Sequence, residues 1–254
     1  MKIHFLGTGT SQGIPVIGSN HPVCHSTNPK DKRLRVSIWL EWENASVVID
    51  CGPDFRQQML TCGCTKLDAI LFTHEHSDHT AGIDEIRPFN FLHGDLPIYA
   101  NGRVLKNLKK RFDYIFETEN RYAGAPAVKS FEVSENQSFK INGKIIIPIK
   151  VMHGNLPILG FRIDDFAYLT DVKTVEPPEV KKLFGIKTLV INALRIEPHN
   201  THFNLNEALA FIDILKPEKT YLTHISHVFG YHDDIQKMLP ENVFVAYDNL
   251  ILEI

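Results

Sequence analysis

Cysteine is scarce in this chain of 254 residues: there are four, at positions 24, 51, 62 and 64. A small secreted domain stapled by disulfides is thereby excluded, and in a reducing compartment such thiols stay free. Long hydrophobic runs are missing. No stretch approaches the ~20 apolar residues that span a bilayer. The opening Met1-Lys2-Ile3-His4-Phe5-Leu6 lacks the apolar core of a secretory signal. The expectation is a cytoplasmic protein with no membrane partner. A surplus of positive charge is missing too: 27 Lys and Arg face 30 Asp and Glu, a formal net charge of -3. That balance argues against nucleic acid as a tight, unspecific partner. The Gly-rich stretch Gly7 to Gly13 follows a strand but lacks the lysine of a P-loop and a clear helix behind it. It reads as a turn.

What the chain does have is histidine in a pattern. Leu71-Phe72-Thr73-His74-Glu75-His76-Ser77-Asp78-His79 begins as an apolar strand and ends in four metal-ligand side chains within six residues. Neutral imidazoles and carboxylates are what zinc and its neighbours bind. In extended backbone His74 and His76 project to one side. A helix starting near Asp78 turns Asp78 and His79 into the same space. A catalytic ion keeps an open position and rarely takes four such crowded ligands. Two ions about 3.5–4 Å apart share them naturally.

The remaining chain reads as an alternation of strands and helices. Strands are expected at residues 2–6, 35–42, 46–50, 67–72, 97–100, 144–152, 160–164, 166–170, 188–194 and 219–223, and one or two more within 243–254. Asn44 supplies a hairpin turn. Pro53 opens a helix with Phe55, Met59 and Leu60 on its apolar face. A short helical stretch after His79 is expected to stop at Pro88. Residues 104–112 form a basic amphipathic helix whose Lys106, Lys109, Lys110 and Arg111 face solvent. Residues 113–126 are irregular. Helices are also expected at 177–184, 205–215 and 233–239. Strands repeatedly end in a candidate ligand: His74, His153, Asp171 and His224. Ligands at strand ends can converge on one edge of a β-sandwich.

With these residues in hand the chain resembles the metallo-β-lactamase-fold hydrolases. The resemblance implies an α/β (α+β) four-layer αββα sandwich with pseudo-symmetric halves, as a single domain over residues 1–254. It implies that His74, His76 and His153 hold one divalent metal ion. Asp78, His79 and His224 hold a second, and Asp171 bridges both; Asp78 and Asp171 thus count as catalytic. An aspartate bridge is a mark of the phosphodiesterase branch. Gly7 to Pro15 and Asp50 to Arg56 look most like the phosphoribosyl cyclic phosphodiesterase group of phosphonate breakdown. That group carries an additional structural zinc held by three cysteines and a histidine. The matching positions are Ser19, His21, Cys24 and His227. Ser19 is a poor ligand and His21 replaces a cysteine. A zinc on His21, Cys24 and His227, completed by His25 or water, and a metal-free loop both stay open.

The implied activity is cleavage of a small, cyclic nucleotide-like or sugar phosphodiester by a metal-bridging hydroxide, with two Zn or Mn ions as cofactors. The expelled alkoxide needs a proton. In Arg195 to His202 the resemblance favours His202 as the acid over His199. Arg195 faces phosphate or forms an ion pair. Asp50, and less strongly Tyr247-Asp248, are expected to orient ligand histidines. An RNA-processing nuclease of the tRNA 3′-end type and a thioester or lactone hydrolase are the alternatives. A homodimer is compatible with the sequence.

Overall fold

Alternating apolar residues set the layers. The structure is a computed structural model that describes residues 1–43, 45–119 and 121–254. The turn expected at Asn44 and position 120 of the irregular stretch lie outside the described residues. The first half contains β1 (Lys2–Gly7), β2 (Ser37–Trp42), β3 (Ala45–Ile49), α1 (Phe55–Cys62), β4 (Ala69–Leu71), α2 (Ser77–Thr80), α3 (Arg87–His93), β5 (Leu96–Ala100), α4 (Gly102–Arg111), α5 (Asp113–Phe116) and β6 (Val128–Glu132). The second contains β7 (Phe139–Ile141), β8 (Lys144–His153), β9 (Leu156–Ile163), β10 (Phe166–Leu169), α6 (Pro177–Lys181), β11 (Thr188–Asn192), α7 (Leu205–Leu215), β12 (Lys219–Thr223), α8 (His232–Met238), β13 (Val243–Val245) and β14 (Ile251–Glu253).

The strands form two seven-stranded sheets, ordered β14-β1-β2-β3-β4-β5-β6 and β13-β12-β11-β10-β9-β8-β7. Side chains on opposite faces of a strand go to different layers. In β3, Val47 and Ile49 enter the core between the sheets, with Phe5, Leu40, Phe161, Phe166 and Tyr168. Val48 enters an outer core with Phe55 and Met59 of α1 and Val104 and Leu108 of α4. In β11, Val190 joins the central core. Leu189 and Ile191 meet Ala208, Phe211, Ile212 and Leu215 of α7 on the other outer face. Three apolar layers between four structural layers make the αββα sandwich.

The two sheets repeat one pattern. From β14 to β3 the neighbours are antiparallel, and from β3 to β6 they are parallel. From β7 to β10 they are antiparallel, and from β10 to β13 parallel. The implied pseudo-symmetry of the halves is thus visible in strand order and direction. Parallel strands place their ends on one edge, where their connections begin.

Pro88 does the opposite of what its position suggests. It lies in the first turn of α3 and opens a helix, because a proline there removes only an amide that would be unpaired anyway. The short helix α2 and a 3₁₀ turn at Ile83–Ile86 precede it. Strands β6 and β7 are additional to the expected set.

The N-terminal Gly-rich loop is a brace. Thr8 O accepts from Ile225 N–H, and Thr10 N–H donates to Ile225 O. The segment just after His224 is thereby pinned. A Cβ on Gly7 would lie 2.0 Å from Arg35 O, so only glycine fits there. Thr8 Oγ1 donates to Asp248 and accepts from the buried guanidinium of Arg33. Asp248 also accepts from Leu34 N–H. Burial pushes the Asp248 carboxyl up to about 6, against those bonds and the attraction of Arg33. A carboxyl raised in the folded state contributes stability that is complete below its ordinary value and lost as pH rises through the folded value. Wild type should therefore lose stability relative to Asp248→Asn between pH ~4 and ~6, by on the order of 1–2 kcal/mol. Urea melts across that window measure it, and parallel pH profiles for the two proteins would refute it.

Candidate metal centre

The loop after β4 carries the histidine cluster into the sheet edge. His74 is fully buried, and His76 and Ser77 are exposed. The turn is shaped by close packing. Cys51 N–H donates to His79 O, and Gly82 N–H donates to Cys51 O. A Cβ on Gly52 would lie 2.1 Å from Asp78 O, so a side chain there would push the loop away.

Three of the imidazoles, those of His74, His79 and His153, are fixed by a partner at Nδ1. Asp50 accepts from Thr73 N–H at Oδ1, and from Thr73 Oγ1–H and His79 Nδ1–H at Oδ2, all at 2.7–2.8 Å. The Thr73 hydroxyl gives its proton to Asp50, so at 2.9 Å it accepts from His74 Nδ1–H. His153 Nδ1–H donates to Thr201 O at 2.8 Å. These bonds leave Nε2 of His74, His79 and His153 free for the centre. His74 Nε2 and His76 Nδ1 face each other at 2.9 Å.

The distant candidate ligands arrive from the other sheet. Asp171 follows β10 and His224 follows β12. Asp171 Oδ1 lies 3.2 Å from His224 Nε2, and Asp171 Oδ2 lies 3.2 Å from His79 Nε2. Asp78 Oδ2 lies 3.3 Å from His79 Nε2 and 3.8 Å from His224 Nε2. Four groups of three side chains have donor atoms within 4.8 Å of one another: His74, His76 and His153; Asp78, His79 and His224; His74, His79 and Asp171; and His153, Asp171 and His202. Asp50, Asp171 and His224 have φ of 64°, 58° and 56°. Three polar residues in the left-handed region at one edge mark backbone strained for a site.

The chemistry of this donor set fits a pair of divalent cations. Nε2 of His79 and of His224 is buried without a hydrogen-bond partner. Burial, with His79 beside it, holds His74 well below the usual histidine range, which is the neutral form a ligand needs. Burial would lower His79 as well, but Asp78, Asp171 and Asp50 around it raise it strongly. Burial would raise Asp171, and His224 and His79 hold it below the carboxylate range. Three carboxylates converge on one imidazole, and the charge they call for is positive.

His202 sits inside this constellation. Its Nε2 is 2.9 Å from Asp171 Oδ1, and its Nδ1 is 2.9 Å from Thr201 Oγ1 and 3.1 Å from His199 Nδ1. Its ring packs against His153 and His224 at 4.5 and 5.0 Å between centroids. His199 stands one step further out. Arg195 donates to the carbonyls of Glu197 and Pro198, and no ion pair of it is found among the described residues. Tyr247 packs against His232 and Lys30, and Asp248 bonds Thr8 and Leu34, so this pair touches no ligand histidine.

The second candidate site is looser. The rings of His21 and His227 meet edge to face at 5.1 Å. Ser19 Oγ accepts from His21 N–H, and Cys24 Sγ accepts from Val16 N–H at 3.5 Å. His21, Cys24 and His227 do not form one of the close groups of three among the described residues.

The family model for the beta-lactamase superfamily domain matches residues 45–225, from β3 to just past His224. The chain belongs to the beta-lactamase superfamily. Superfamily relatives differ in name. The chain is 37% identical over 252 residues to an octanoyltransferase of Porphyromonas gingivalis, covering 98% of this chain and 51% of that protein. It is 27% identical over 167 residues to a ribonuclease Z of Exiguobacterium sp., covering 65% of this chain and 49% of that one. The chain thus spans about half the length of these two relatives. Among solved structures, a new diphosphatase from the PhnP family is 37% identical, with a TM-score of 0.92 over 99% of this chain and 96% of that one. The Zn(2+)-bound PqqB of Methylobacterium extorquens shares the superfamily fold at 16% identity, with a TM-score of 0.82 over the whole of both chains.

Sequence reasoning missed Thr73 and Thr201. The signal for Thr73 is its place directly before the first ligand. Thr201 holds His153 through its backbone carbonyl, which no residue pattern announces.

Proposed function

We propose that the chain is a dinuclear metal-dependent phosphodiesterase acting on a small, (cyclic) phosphodiester in the cytoplasm. The observation that carries this reading is the carboxylate of Asp171, whose two oxygens reach His224 and His79 while His74 and His153 complete groups with it. His74, His76 and His153 would hold one ion, and Asp78, His79 and His224 the other, with Asp171 shared. Bound there, zinc or manganese ions would activate water, neutralise phosphate oxygens and align the displacement. The PhnP-family diphosphatase supports the phosphorus chemistry.

The chain's own residues do the rest. Thr73, Asp50 and Thr201 hold the imidazoles in the tautomers that leave Nε2 free. His202 faces the reacting centre and gives a proton to the leaving alkoxide. Burial pushes it down to about 4, although Asp171 pulls the other way. With Asp171 as its one anionic neighbour it is neutral near pH 7, and the further negative charge of a bound phosphodiester strengthens its hold on a proton. His202→Ala is expected to lower kcat about 10²–10⁴-fold with two metal equivalents retained. Metal analysis beside kinetics checks this. If metal is lost with activity, His202 is a ligand, as its group with His153 and Asp171 would allow.

A second reading is favoured by the octanoyltransferase relative: a hydrolase of acyl thioesters, since the same ions polarise carbonyls. Turnover of bis-p-nitrophenyl phosphate, an octanoyl thioester and a 3′-extended tRNA separates the readings. Hydrolysis of the first alone supports the phosphodiesterase, and activity confined to either of the others replaces it.

A further inference from the structure

The three-histidine group is assembled from both sheets. His74 and His76 belong to the loop after β4, and His153 ends β8 of the opposite sheet. Metal–ligand distances tolerate errors of only about 0.2 Å. Something must fix the separation of the two sheets at this edge. Leu159 N–H donating to Thr73 O is one cross-link. The other involves a side chain.

Arg103, in the first turn of α4, touches both ligand-bearing segments. Its Nε lies 2.9 Å from Glu75 Oε1, and Glu75 is the residue between His74 and His76. Its Nη2 donates to Pro157 O at 2.6 Å. Pro157 is paired with Met152 in the hairpin where His153 faces Leu156. One planar guanidinium thus has an arm on each sheet, one residue from His76 on one side and next to the His153 pair on the other. The far end of α4 is anchored to the same loop. Arg111 Nη1 donates to Glu75 O and to Thr80 Oγ1, and Thr80 Oγ1 donates to His76 O. Arg103 therefore reaches out from a helix already fixed against the histidine loop. The group of Asp78, His79 and His224 is braced otherwise, by Asp50 and by the Thr8–Ile225 bonds.

We propose that Arg103 is a positioning residue that sets the geometry of the His74, His76 and His153 group by tying Glu75 to Pro157 across the two sheets. The inference rests on the metal-centre reading above. It predicts a selective defect. Two partners on one guanidinium matter, because a lysine ammonium is a single point charge on a flexible stem and cannot meet both at once.

Cobalt(II) titration of the metal-free full chain, followed by absorption, tests this. Wild type should take up two equivalents. In Arg103→Gln the affinity of one of the two should fall about 10–100-fold, with the other unchanged. Arg103→Lys should not restore it. Glu75→Gln, which removes the same ion pair from the other side and leaves Arg103 in place, should weaken the same equivalent. The equivalent lost is identified by comparison with His76→Ala. Unchanged affinities in Arg103→Gln and Glu75→Gln would overturn the proposal. So would equal weakening of both equivalents together with a lower melting temperature, the mark of a general scaffold role. A wild type that takes up no cobalt would instead overturn the metal-centre reading itself, and the proposal with it.

Discussion

Asp171→Ala is expected to lower kcat for a phosphodiester by at least about a thousandfold, and Asp171→Asn by nearly as much. Metal-ion stabilisation of transition-state charge amounts to several kcal/mol, and about 4 kcal/mol corresponds to three decades of rate. Asp171 Oδ1 lies 3.2 Å from His224 and 2.9 Å from His202, and Oδ2 lies 3.2 Å from His79 and accepts from Thr170 Oγ1. Asp171 also falls in close groups with His74 and with His153, so its carboxylate reaches both ligand groups. Without it, two cations have no shared anion and no fixed separation. The two variants divide shape from charge. Alanine in the left-handed conformation of this position (φ 58°) adds backbone strain of about 1–2 kcal/mol. Asparagine tolerates that conformation and keeps the volume, but it offers a neutral oxygen and a pair of N–H donors. Retention of more than about a tenth of the activity by Asp171→Asn would show that the shared charge is not needed, and the dinuclear reading would fall.

The legible parts of this fold are those whose cause is local. Helix α7 begins and ends where the sequence places it, because Asn204 and Glu207 form a capping box and Lys216, left-handed, precedes Pro217. Strand β12 keeps its expected limits, Lys219–Thr223, is buried but for Lys219, and pairs in parallel with β11 from Thr188 beside Lys219 to Asn192 beside Thr223. Strand β6 has no such signature. It is the edge strand of its sheet, and Lys129, Ser130 and Glu132 are exposed. Its pairing with β5 is a tertiary fact. Pro88 shows the same limit from the other side: whether a proline ends or opens a helix depends on where the chain turns before it.

The site divides in the same way. His74, His76, Asp78 and His79 are close in sequence and announce themselves. His153, Asp171 and His224 are found only by noticing that each follows a strand, and their convergence needs the sheets. Arg111 reads as one of a row of solvated cations, yet its guanidinium lies on Glu75 O and Thr80. Asp50 and Asp171 gain meaning from the repeated strand pattern. Each follows the strand where its sheet changes from antiparallel to parallel, and each is left-handed. One carboxylate faces Nδ1 of His79 and the other faces Nε2. The two halves thus supply matching aspartates to opposite ends of one imidazole, one at Nδ1 to orient it and one beside Nε2, which has no hydrogen-bond partner.

That pairing makes Asp50→Asn the second large effect. Asp50 is fully buried and accepts three hydrogen bonds. Through His79 it serves one ligand group, and through Thr73 and His74 it serves the other. Asparagine fits the backbone, since it too tolerates φ of 64°. Its amide has one oxygen for three donors and places N–H groups against at least one of them. His79 or Thr73 then loses its acceptor, and the affected imidazole is free to move its proton to Nε2, the atom the cation needs. Affinity for both metal equivalents should fall, each by about 10–100-fold. Asp171→Asn should act differently, by losing the shared charge while leaving the tautomers fixed. Competition with a chelator of known affinity measures the loss, and proton NMR of the histidine ring N–H groups reports the tautomers. A variant that binds both equivalents as tightly as wild type, with the His79 Nδ1–H signal intact, would show that the imidazoles are held by packing alone and that the buried carboxylate has another purpose.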